Sequence, residues 1–154
     1  MKKILVVGYG NTLRSDDAVG LYAVREMQKM PTRSNIEFME VHQLQPELAE
    51  TLSHMDLVVF IDAAMHGISG ETHYELVFPA SKTPGMSHSI DPETLLFAAK
   101  ELYGHAPKAI LATVAGECFG FGSKLSPEVE VAMKGLSARV SQLIEEFLED
   151  AVPA

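Results

Sequence analysis

The segment Gly8-Tyr9-Gly10-Asn11-Thr12-Leu13-Arg14-Ser15-Asp16-Asp17-Ala18-Val19-Gly20 carries two adjacent carboxylates from an apolar run to the start of an expected helix. Glycines placed directly after a buried strand permit a tight turn and close backbone approach. The dinucleotide fingerprint GxGxxG fails here, because its third glycine position holds Leu13 and two carboxylates follow where a pyrophosphate would have to bind. Nucleotide binding is therefore disfavoured. Asp16 and Asp17 leave two uses open: capping the helix through its dipole, or holding a cation. Asp62 ends the apolar run Leu57-Val58-Val59-Phe60-Ile61. An unpartnered carboxylate is costly there, so it calls for a cation, a basic side chain or a loop hydrogen bond.

The remaining reactive residue types form no motif of their own. His88 lies in the polar stretch Gly85-Met86-Ser87-His88-Ser89-Ile90, where an isolated histidine is ordinarily just solvated. His42, His54, His66, His73 and His105 show no HExxH or similar ligand spacing. The single cysteine, Cys118, excludes an internal disulfide and a CxxC metal site, and with no local histidine pattern it reads as an inert thiol. No GxSxG elbow is present, which disfavours a serine hydrolase mechanism.

These residues need elements to position them. Ile4 to Val7 is a continuous apolar run, expected as a central strand buried on both faces. Helical spacing of Val19, Ala23, Val24 and Met27 predicts a helix over 18–30, with Ser15, Asp16 or Asp17 as cap and Pro31 just beyond it. Further strands are expected at 36–41, 57–63 and 110–115, and a weakly alternating edge strand at 72–78. A short helix is expected from Pro46 to about His54. Asp91-Pro92 and Ser126-Pro127 each place a capping residue before proline, opening helices to Tyr103 (with Gly104 as its stop) and towards Asp150. Strands alternating with helices predict a single-domain, three-layer α/β/α sandwich over 1–154, with a mostly parallel sheet. Ligands of such sheets bind outside the carboxyl ends of the strands, where Gly8–Asp17 and Asp62 fall.

At 154 residues and 47% hydrophobic, the chain is sufficient for one well-buried core. A net charge of −9 opposes binding to nucleic acid or an anionic membrane. It suits the presentation of carboxylates to a cation or a basic peptide. The basic start Met1-Lys2-Lys3 precedes an apolar run too short for a signal peptide, and no stretch approaches the roughly 20 apolar residues that span a bilayer. A cytoplasmic location is expected.

The residues Gly8 to Leu13 with Asp16, Asp17 and Gly20, then Phe60-Ile61-Asp62-Ala63, then His88 with Asp91-Pro92-Glu93-Thr94-Leu95-Leu96, follow one another in a set order. Together with Leu102-Tyr103-Gly104 and Lys124-Leu125-Ser126-Pro127, they resemble the hydrogenase maturation protease family over nearly the whole chain. The segment from His42-Gln43 to Glu50 looks closest to the branch serving bidirectional, NAD-coupled hydrogenases; other branches have a Gly-Gly-Thr type loop there. The resemblance implies a phosphorylase/hydrolase-like mixed sheet of five strands in order 2-1-3-5-4, the fourth antiparallel. It implies metal-binding positions at Asp17, Asp62 and His88, with Asp17 standing where some members have Glu. It also implies a nickel-dependent, aspartyl-type endopeptidase that acts on a [NiFe]-hydrogenase large-subunit precursor. The nickel is then supplied by the precursor, whose C-terminal tail is removed after a His or Arg following its last cysteine motif. Asp17 or Asp62 would act as a base instead of, or besides, ligating. The alternative is a non-catalytic nickel-checkpoint module using the same three ligands.

Overall fold

A computed structural model describes residues 1–31, 33, 35–82 and 90–149. Its elements are strand β1 (Ile4–Tyr9), helix α1 (Val19–Gln28), β2 (Ile36–Val41), α2 (Leu48–Leu52), β3 (Leu57–Ala64), β4 (Thr72–Val77), α3 (Pro92–Tyr103), β5 (Lys108–Ala115) and α4 (Pro127–Glu149). The strands form one five-stranded sheet in order β2-β1-β3-β5-β4. Four run parallel, and β4 pairs antiparallel with β5. The expected three-layer architecture and strand order are both present.

The period of two along the central strands sorts their side chains into two cores. Ile4 and Val6 of β1, Leu57, Val59 and Ile61 of β3, and Ile110, Ala112 and Val114 of β5 face α1 and α4. Leu5, Val7, Val58, Phe60 and Ala109 point the other way, against Leu48, Ala49 and Leu52 of α2 and Leu95, Leu96 and Ala99 of α3. Strands covered on both faces have no polar side to show, which is why β1 and β3 read as unbroken apolar runs. Among the described residues no helix is long and apolar enough to cross a membrane.

Element ends differ from the local expectation in instructive ways. The helix expected from residue 18 is preceded by a 3₁₀ turn at Ser15–Ala18, and neither segment has a side-chain cap. The helix expected from Pro46 is regular only over Leu48–Leu52. Strand β5 begins earlier than its apolar run, because Lys108 pairs with Leu57 at the start of β3. The α3 signature holds as expected: Asp91 accepts the Thr94 N–H at 2.8 Å, and Gly104 closes the helix at φ 84°.

Candidate functional site

The site begins with glycines that let α1 press onto the strand ends. A Cβ on Gly8 would overlap the carbonyl oxygen of Gly20, and a Cβ on Gly20 would overlap that of Ile61. The first turn of α1 is therefore seated on the last residues of β1 and β3. Ile61 immediately precedes Asp62, and Asp17 lies three residues before Gly20, so this close packing brings the charge of Asp17 to bear on Asp62. Gly10, at φ 151°, lies against the Asp17 carbonyl, and the Asn11 N–H donates to Asp17 Oδ2 at 2.8 Å. The loop is thus folded around the Asp17 side chain.

Asp62 is half-buried at the carboxyl end of β3, and its Oδ1 accepts the N–H of Ala63 at 2.8 Å. Burial, with a further contribution from the charge of Asp17, pushes its pKa up to about 7, against the lowering effect of hydrogen bonds from Ala63 and the Tyr9 hydroxyl. The Tyr9 phenol is held well above its ordinary range, by burial first and by the Asp62 charge next. Glu93 and Asp91, at the start of α3, add to this negative field. Nothing in the local pattern singles out Tyr9. The signal for it is register: Gly8 pairs with Ile61, so Tyr9 falls beside Asp62 on the neighbouring strand.

Asp16 has a different role from either use its sequence context suggested. It is 0% exposed and caps no helix of its own. Its carboxylate accepts the N–H groups of Glu117 and Cys118 at 2.9 Å, and both the N–H and the hydroxyl of Ser126 at 2.7 Å. Burial raises its pKa, but these bonds outweigh burial and hold it below the ordinary carboxylate value. Asp16 therefore latches the loop between β5 and α4 onto the loop between β1 and α1. Ser126, expected to cap α4, turns its hydroxyl to this latch. Ser15 adopts φ 50°, unusual for a residue with a side chain, and is held there by its N–H on the Gly122 carbonyl at 3.0 Å and its hydroxyl on the Gly120 carbonyl at 2.9 Å.

Two other predicted features can be placed. Cys118 is exposed and serves the site through its backbone. His42 and Gln43, with Val41, Gln45, Glu47, Leu48 and Thr51, line a hollow of about 440 Å³. The hollow adjoins the β1 loop, since the Gly10 N–H donates to the carbonyls of Val41 and His42. His88 lies outside the described residues. Among the described residues, no three His, Cys, Asp or Glu side chains group closely enough to hold a metal ion. Asp17 and Asp62 nevertheless suit a divalent cation chemically: they are oxygen donors, and Asp62 is desolvated with a second carboxylate at hand and, among the described residues, no basic side chain bonded to it.

No family model matches the chain, and no curated protein sequence matches it. Solved structures do. The hydrogenase maturating endopeptidase HybD from E. coli aligns with a TM-score of 0.77 at 21% identity, over 94% of this chain and 93% of its own. The [NiFe] hydrogenase maturation protease HycI from Thermococcus kodakarensis aligns with a TM-score of 0.76 at 19% identity, over 94% and 93%. The hydrogenase 2 maturation peptidase from a Thaumarchaeota archaeon aligns with a TM-score of 0.69 at 20% identity, over 93% and 98%. The chain has the fold of hydrogenase maturation proteases along its length.

Proposed function

We propose that this protein is a nickel-dependent endopeptidase that removes the C-terminal tail of a [NiFe]-hydrogenase large-subunit precursor once its metal has been inserted. The observation that carries this reading is the pairing of Asp62 with Asp17 at the carboxyl end of the sheet. There a desolvated carboxylate with a pKa of about 7 stands beside a second acid. Such a pair is unfavourable alone and is relieved by a cation. The fold shared with solved maturation endopeptidases supports the same reading.

In this proposal nickel belongs to the substrate and arrives with the precursor. Asp17, Asp62 and His88 would hold it, and it would supply Lewis-acid polarisation of the scissile peptide. Asp62 also has the proton affinity of a general base near neutral pH. Tyr9 orients Asp62 through its hydroxyl, and Asp16 holds the surrounding loops while Asp17 acts on Asp62. The His42-Gln43 segment favours a bidirectional, NAD-coupled hydrogenase as the system served.

The test is to incubate the protein with nickel-loaded and nickel-free precursor and weigh the products by mass spectrometry. Loss of a C-terminal tail from the loaded form alone is expected. Binding of the loaded form without shortening under any condition would instead favour a nickel-checkpoint module.

A further inference from the structure

Among the described residues, four large apolar side chains stand in solvent on three loops at the carboxyl end of the sheet. Leu13 of the β1–α1 loop is 55% exposed, Met65 and Ile68 of the β3–β4 loop 65% and 77%, and Phe121 of the β5–α4 loop 91%. These loops are hydrogen-bonded to their neighbours. The Gly122 N–H donates to the Leu13 carbonyl at 2.9 Å, the Gly116 N–H to that of Ala64 at 2.9 Å, and the Gly70 N–H to that of Ala115 at 2.8 Å. The Asp16 latch adds its bonds to the same frame. Apolar side chains presented by a braced framework form a prepared contact surface, since no ordering of the loops is needed on binding.

We propose that Leu13, Met65, Ile68 and Phe121 are the docking surface for the folded body of the protein substrate, which brings an apolar face surrounding a cation-bearing chain end. This rests on the reading given under Proposed function and names the surface by which that substrate is recognised. The charge of the site selects this occupant. The acids at this end of the sheet include Asp17 and Asp62, which have no ion pair among the described residues, and Asp91 and Glu93, which share Lys82 at 3.0 and 3.3 Å. A second copy of the chain would bring the same acids and a net charge of −9, and an anionic lipid surface would be repelled likewise. A protein carrying a cation within an apolar collar satisfies both features.

Ile68→Ser, Phe121→Ser and the double variant change exposed side chains. Circular dichroism melts verify that each folds. Leu102→Ser is the control, because Leu102 is 71% exposed near the end of α3, away from these loops. With nickel-loaded large-subunit precursor as substrate, the double variant is expected to raise KM at least about tenfold, the loss falling on KM rather than kcat, as for removal of central contact residues. Leu102→Ser should match wild type. Wild-type KM in the double variant overturns the docking surface while leaving the peptidase reading intact. If wild type never shortens the precursor, that reading fails, and binding of uncut precursor decides this one. Weaker binding by the double variant sustains the surface, whereas absent or unchanged binding overturns it. A wild-type dimer that the double variant splits, or flotation of wild type with phosphatidylcholine vesicles, also overturns it by assigning the surface to another occupant.

Discussion

Asp62 follows five fully buried residues of β3, and its carboxylate takes part of that desolvation with it. Its folded pKa, about 7, lies above the ordinary 3.8, so the folded protein binds this proton more tightly than the unfolded chain. Stability from this group is therefore full below about pH 4 and declines as pH rises towards 7. Asp62→Asn keeps an oxygen for the Ala63 N–H and removes the charge. It should stabilise the protein at pH 8 by about 1–3 kcal/mol, with little effect at pH 4, while abolishing cleavage. Urea melts at the two pH values check the first part, and precursor processing checks the second. Asp16 has the opposite sign: its lowered pKa contributes stability above the ordinary carboxylate value that is lost as pH falls below it. Asp16→Ala removes the shared acceptor of three part-buried N–H groups and a hydroxyl, and should cost about 2–4 kcal/mol, more than loss of a typical helix cap. Asp17→Ala should be milder in the same melts and more damaging to cleavage. Cys118→Ala keeps the backbone N–H that Asp16 accepts, and its side chain is exposed. It should process precursor at the wild-type rate, and abolished cleavage in a folded variant would revive a thiol mechanism.

Between elements, the decisive contact is the seating of α1 on β1 and β3. It depends on Gly8 and Gly20, whose missing side chains are replaced by backbone carbonyls of the neighbouring segment. Backbone cannot move aside as a flexible side chain can. Gly20→Ala should therefore push α1 away from Ile61, at a cost of about 2–3 kcal/mol by the usual penalty for overpacking. Because Asp17 rides on the approach to α1, the same substitution should lower cleavage beyond what the stability loss explains. Thermal melts and processing rates measured together below the melting transition separate the two effects.

At the scale of the whole molecule, the sheet order brings the ends of β1, β3 and β5 side by side, and all the site residues described lie at that edge. Acids are concentrated there, and the proposal has a cation that relieves them arriving with the substrate. Pre-treating the protein with a chelator and then removing the chelator should therefore leave processing of loaded precursor unchanged. Nickel-free precursor should stay uncut even when the protein is pre-incubated with nickel and then desalted. A chelated protein that recovers activity only on nickel addition would show instead that the metal is resident.

The architecture was legible in the sequence because its signals are local. Unbroken apolar runs at 4–7 and 57–61, helical spacing from Val19 to Met27, and Asp91-Pro92 before an apolar periodic stretch each depend on residues within a few positions. The placing of Asp17 and Asp62 at strand ends follows from the same local patterns. The division of labour between Asp16 and Asp17 could not be read this way. As adjacent acids before a helix they are equivalent by spacing, and what separates them is which one meets Glu117, Cys118 and Ser126, residues 101 to 110 positions away. Tyr9 gains its place beside Asp62 only through the register of β1 on β3. A carboxylate's proton affinity and bonding are set by the groups that surround it in space, and those groups are chosen by the tertiary packing of distant segments.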